Sequence, residues 1–163
     1  MTRPEYIRKF TSTVLLVTSG TGLFPSVMMA QALLESSDSN GIPGNSVLAR
    51  IYHNHFGIKA NKSWKGKSIA LKTREVIDGK TKTIKDSFRI YDEPLRSFAD
   101  RVQFLKENKR YSNAGVFKAF TPAEQADALQ AAGYATDPLY ASLLKQLIDK
   151  HRLTDLDGMA TDV

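Results

Sequence analysis

Two glutamates stand apart in this 163-residue chain because of what surrounds them. Glu35 closes the apolar run of AQALLES, one helical turn after Gln31, so the two side chains share a face of an otherwise apolar helix. A carboxyl at the edge of a core loses hydration, its pKa rises, and it becomes a usable general acid near neutral pH. The plainer reading is a solvated or ion-paired glutamate at a helix end. Glu75, in KTREV, falls on a polar segment opposite Lys82, where a cross-strand ion pair is the plainer reading. Its functional reading is a second carboxylate carried by a mobile hairpin over a cleft toward Glu35, the paired-carboxylate arrangement of a glycosidase.

The remaining polar motifs are weaker. His53 and His55 in YHNHFGIK alternate as they would on one strand face, but a metal site needs more ligands and only His151 remains among the histidines. A nuclease built on these letters needs a wider metal motif that is missing, and a hydrogen-bonding role suits both rings better. Asn54 and Gly57 read as turn chemistry between the anchors Phe56 and Ile58. Trp64, Phe88, Tyr91, Tyr134 and Tyr140 supply aromatic faces and hydroxyls suited to sugar rings, although single aromatics usually serve a core. Tyr134 sits between Gly133, a helix stop, and Asp137-Pro138, a helix start, and a tyrosine fixed in such a corner can point its hydroxyl into a cleft.

These residues need elements to hold them. Pro4 to about Thr18 reads as a helix stopped by SGTG, and Pro25 starts a second one that is apolar on every side and therefore buried. Between Ile69 and Ile90 the helical period gives way to Lys, Thr and β-branched residues around IDGK, where Asp78-Gly79 fits a two-residue hairpin turn. That turn pairs Ile77 with Lys80, Glu75 with Lys82, Thr73 with Ile84 and Ile69 with Phe88. Ser97 with Asp100 reads as the cap of a helix carrying Phe98, Val102 and Leu105. Thr121, Pro122 and Glu124 open another that Gly133 closes. Asp137-Pro138 opens the last, with Leu139, Leu143, Leu147 and Ile148 in period. The expected architecture is α+β, a mostly helical lobe with a small inserted β-hairpin. Residues 1–153 form one domain, and the polar tail 154–163 is expected to fray.

Composition narrows the classes. No stretch approaches the roughly 20 apolar residues that span a bilayer, so stable membrane insertion is not expected. The N-terminal patch VLLV is shorter than a signal-peptide core of about 7 to 15 residues, so no signal peptide is visible and this part reads as fold. Cysteine is absent, which removes thiol chemistry and cysteine-bound zinc, and the net charge of +6 calls for an anionic partner such as nucleic acid, anionic lipid or a cell-wall polymer.

In order, FPSVMMAQALLES, LARIYHNHFGIKA, WKGKSIALKTREV, SFRIYDEPLRSFADRVQFLKENKRY and AGYATDPLYASLLKQLI resemble the glycoside hydrolase family 73 β-N-acetylglucosaminidases, peptidoglycan hydrolases related to the flagellar cell-wall hydrolase domain. The resemblance covers nearly everything from Phe24 to Ile148. It implies a lysozyme-like fold with a cleft between the helical lobe and the hairpin, and cleavage of the β-1,4 bond after N-acetylglucosamine in the glycan strand. It puts Glu35 on the general-acid position, Glu75 on the hairpin carboxylate, and Tyr134 beside the acid. Gln31, Phe56, Trp64, Phe88, Tyr91 and Tyr140 become substrate-binding candidates. Neither metal nor organic cofactor is implied. The partner is the peptidoglycan glycan strand rather than nucleic acid, a monomer is expected, and the substrate places the protein in the cell envelope or outside the cell. After the acid the chain has LESSDSNGIPGNS where many members have LESGWG, so Asp38 becomes an alternative second carboxylate, ranked below Glu75. The rival readings are a muramidase or lytic transglycosylase on the same fold, and a non-catalytic wall-binding module.

Overall fold

A computed structural model describes residues 1–160. Helix α1 (Arg3–Thr18) starts at a capping box in which Thr2 and Glu5 satisfy each other's backbone N–H, and it buries Tyr6, Phe10 and Val14. Helix α2 (Pro25–Glu35) runs through the centre, with every side chain from Pro25 to Leu33 buried. Enclosure on all sides is what an all-round apolar sequence demands. Met28, Met29 and Leu33 are almost wholly shielded, and burial of side chains of this kind stabilises by about 2 kcal/mol each. Helix α3 (Val47–Tyr52) follows, capped by the Ser46 hydroxyl, which accepts from the Ala49 N–H.

Strands β1 (Ser68–Ile77) and β2 (Lys80–Arg89) form one antiparallel hairpin with the register expected from the Asp78-Gly79 turn: Ile77 opposite Lys80, Glu75 opposite Lys82, Thr73 opposite Ile84, and Ile69 opposite Phe88. Both turn residues have positive φ, 52° and 74°, as a turn matched to strand twist requires. The chain from Ile58 to Ala60 runs along the free edge of β2, with Arg89 N–H donating to the Ile58 carbonyl and Ala60 N–H to that of Ser87. Helices α4 (Pro94–Glu107), α5 (Lys109–Asn113), α6 (Pro122–Ala131) and α7 (Tyr140–Lys150), with a 3₁₀ turn at Val116–Lys118, complete the wall around α2, and α8 (Thr154–Ala160) packs on α1 and α2. One apolar core draws on α1, α2 and α4 to α8.

The structure departs from the sequence expectations at four places. Helix α4 starts at Pro94, whose fixed φ suits a first helical position, so Ser97 lies inside the first turn and its hydroxyl donates to the Pro94 carbonyl. Asp137-Pro138 makes a turn before α7, and the buried face of that helix is Tyr140, Ala141, Leu144, Leu147 and Ile148, leaving Leu139 exposed. His53 and His55 lie on a loop, not a strand: His53 ends α3 in the left-handed conformation, and His55 is buried with its Nδ1 2.6 Å from the Tyr6 hydroxyl. The tail expected to fray is helical as far as Ala160. Leu156 is buried, and Asp157 accepts from both the N–H and the hydroxyl of Ser26 in the first turn of α2, where a carboxylate is favoured by the helix dipole. Residues 161–163 lie outside the described part. Among the described residues no helix is long and apolar enough to cross a membrane.

Candidate active site

A cleft of about 750 Å³ opens between the hairpin and the helical lobe. Helix α2 delivers Glu35 to it from the core side, and β1 delivers Arg74, Glu75 and Val76 from the other. The loop between α6 and α7 supplies Gly133 to Asp137, and the first turn of α7 supplies Tyr140. Phe56 to Lys59 and Asn61 join the two walls.

Glu35 is partly buried, with the core behind it and the cleft in front. Loss of hydration pushes its pKa up to about 7. Hydrogen bonding from the Tyr140 hydroxyl pulls the other way, and the negative charge of Glu75 adds to the rise. A group in this state carries its proton near neutrality, as a general acid must.

Aromatic rings form the floor beside it. Tyr134 stacks on Tyr140 with centroids 5.7 Å apart and meets Tyr111 at 6.0 Å and Phe104 at 6.4 Å. Its backbone N–H donates to the Leu129 carbonyl, just after Gly133 turns the chain through φ 81°, so the corner expected for this tyrosine exists. Burial drives the hydroxyl pKa values of Tyr134 and Tyr140 upward, keeping both protonated as donors. Gln31, fully buried, donates from Nε2 to the Tyr140 hydroxyl at 2.9 Å and so acts behind the floor rather than in the cleft. Under the same layer lies Arg101, also fully buried, with its guanidinium 5.8 Å from the Phe56 ring centroid. Its nitrogens have no hydrogen bond of normal geometry among the described residues. Burial pulls its pKa down, while the Tyr134, Tyr140 and Tyr111 hydroxyls oppose that loss.

Glu75 faces Glu35 from the opposite wall and is held twice. Its Oε1 lies 3.3 Å from the Lys59 ammonium, and its Oε2 accepts from the Thr136 hydroxyl at 3.2 Å. Lys59 also pairs with Asp86 at 2.9 Å, so one lysine ties both strands of the hairpin to the loop beside β2. Thr136 in turn accepts from the Val76 N–H at 3.2 Å, which joins the hairpin to the helical lobe across the cleft. The expected ion pair of Glu75 with Lys82 is replaced by that with Lys59.

Of the residues singled out by sequence, the cleft gathers Glu35, Glu75, Tyr134, Tyr140 and Phe56. Trp64, Phe88 and Tyr91 lie outside its lining. The Trp64 indole covers the Arg89 guanidinium at 4.7 Å and donates to the Lys67 carbonyl. Phe88 is buried, and the Tyr91 hydroxyl donates to Asp100 at 2.5 Å. Asp38 is consumed by its own loop, accepting from the Asn40 and Ile42 N–H groups and from the Asn45 amide. Lys59, Arg101 and Thr136 were missed, although Lys59 and Thr136 stand inside the FGIK and YATDP segments that carry the resemblance.

Unequal carboxyls, one short of hydration and one ion-paired across a cleft, are the means by which glycosidases divide acid from base or nucleophile. The comparisons agree with that class. Residues 12–153 match the model of the glucosaminidase family, described as mannosyl-glycoprotein endo-β-N-acetylglucosaminidase, and the chain belongs to this family. Among its relatives is the exo-glucosaminidase LytG of Bacillus subtilis, 38% identical over 143 residues, which covers 83% of this chain and 46% of that protein. A probable N-acetylmuramidase of Lactococcus lactis is 36% identical over 162 residues, 96% of this chain and 35% of that protein. The chain thus spans less than half the length of either. Among solved structures, the catalytic domain of the autolysin Auto from Listeria monocytogenes superposes with a TM-score of 0.76 at 33% identity, covering 95% of this chain and 87% of that one.

Proposed function

We propose that this domain hydrolyses peptidoglycan, cutting the β-1,4 bond after N-acetylglucosamine, and that it acts in the cell wall. The observation that carries the reading is Glu35, a carboxyl pushed up to about 7 at the meeting of an apolar helix and an open cleft. It protonates the departing glycosidic oxygen, after which the Tyr140 hydroxyl, backed by Gln31, is placed to stabilise the carboxylate left behind. Glu75 stands on the far side of the cleft, where it activates water or stabilises an oxocarbenium-like centre. Tyr134 provides a ring face and a protonated hydroxyl against the reacting sugar. No step in this scheme calls on a metal or organic cofactor.

Family membership and the likeness to LytG support the choice of bond. The naming of the Lactococcus relative favours the second reading, a muramidase using the same acid on the other glycosidic bond.

Digestion of dye-labelled sacculi tests the assignment of the carboxyls. Glu35→Gln is expected to lower the rate about 10³-fold without loss of thermal stability, since removal of one general acid costs on the order of 10² to 10⁴. Glu75→Gln is expected to cost about 10- to 100-fold. A Glu35→Gln protein with near-normal activity contradicts the scheme.

A further inference from the structure

The charge of this chain is not spread evenly. Between residues 59 and 90 it carries ten basic and three acidic residues, a net +7, whereas the rest of the molecule nets −1. Two of those acids, Glu75 and Asp86, are engaged by Lys59, and alternation along the strands places them on one face of the hairpin.

The other face is left positive. Lys72 and Lys85 are both exposed and stand directly opposite each other across the ladder, an arrangement that repels and weakens a hairpin. Arg74, two positions along the same face and about 7 Å further on, is exposed as well. Among the described residues no carboxylate lies within ion-pairing distance of these three side chains. The basic row also leads somewhere. Arg74, Val76 and Thr81, at its far end, line the cleft that holds Glu35, and Lys72 and Lys85 follow next along the same face.

We propose that this face of the hairpin binds the acidic peptide arms of the wall strand whose glycan occupies the cleft. The proposal rests on the peptidoglycan reading above and adds a second recognition element to it. In a peptide-bearing strand the muramic lactyl carboxyls are taken up in amide bonds, so the glycan itself is neutral and the carboxylates sit on the peptide arms, which complements an unneutralised basic row beside a sugar cleft. The other positions on the face, Ser68, Ala70, Val76, Thr81, Thr83, Ser87 and Arg89, carry no aromatic ring, and the Trp64 ring near the Arg89 end is already taken up by that guanidinium. A single-stranded nucleic acid therefore finds no stacking platform there.

The test compares the full chain with the double variant Lys72→Gln/Lys85→Gln on two substrates: glycan strands bearing their peptides, and the same strands stripped of them by an amidase and with the freed lactyl carboxyls capped as neutral methylamides. Lys106→Gln/Lys150→Gln, exposed positions on the helical lobe, removes equal charge as a control. The expected result is a KM about fivefold higher for the hairpin variant on peptide-bearing strands, with kcat on both substrates and KM on stripped strands unchanged, and with no effect in the control. Equal effects on both substrates, or none, overturn the proposal. Pelleting with intact sacculi separates this failure from failure of the glycosidase reading. A wild type that cleaves neither substrate but pellets through Lys72 and Lys85 keeps the surface and loses the enzyme, and pelleting indifferent to both lysines removes the surface. Tighter Lys72- and Lys85-dependent binding of single-stranded DNA or polyphosphate than of free stem peptide also overturns it.

Discussion

At the scale of single residues, the chemistry turns on a proton. Glu35 has its pKa raised by burial from the ordinary carboxylate range to about 7, so the folded state holds a proton that the unfolded chain releases. Between about pH 4.5 and 7 the native state binds more protons than the unfolded one, and stability attributable to this group falls as pH rises through that window. Melting of wild type and Glu35→Gln at several pH values checks this: the advantage of the variant should grow from pH 4.5 to 7 and then level off. A constant difference would place Glu35 in ordinary solvent. The residue was legible because a carboxyl at the end of an apolar run is chemically conspicuous. Arg101 was not, since its place on α4 gives no hint that rings from the loop after α6 and from α7 fold over it. The role of Trp64 was not legible either: an aromatic side chain packs equally well against a sugar or against Arg89, and sequence does not say which.

At the scale of elements, the hairpin was read almost completely. The Asp78-Gly79 turn fixes the register, and the register fixes which residues share a face. What attaches the hairpin to the rest of the molecule was not readable, because Lys59 and Thr136 reach Glu75 and Val76 across sequence separations that no local pattern encodes. Thr136 bridges the helical lobe to both residues. Thr136→Val is therefore expected to leave the global melting temperature within about 2 °C, since one exposed hydrogen-bonded side chain contributes on the order of 1 kcal/mol or less, while hairpin amides exchange several-fold faster. Unchanged exchange at Val76 would show that the bridge does not restrain the hairpin. The short helices α3 and α5 escaped notice because five or six residues carry too little periodicity.

At the scale of the whole molecule, a helical lobe organised around the buried α2 sets an acid at the edge of its own core, and a small charged hairpin closes the other side. The α+β class followed from the switch of period in the middle of the chain. The tail after Leu153 was misread because its few apolar residues hid a docking contact: one buried leucine and one carboxylate at the start of α2 suffice to hold it. The most direct test of the central claim is the identity of the ends produced. Purified peptidoglycan is digested, reduced with borohydride and analysed by mass spectrometry, with Glu35→Gln alongside. Fragments ending in reduced N-acetylglucosamine, and lost in Glu35→Gln, are the predicted result, whereas reduced muramic acid ends or anhydro products would contradict it.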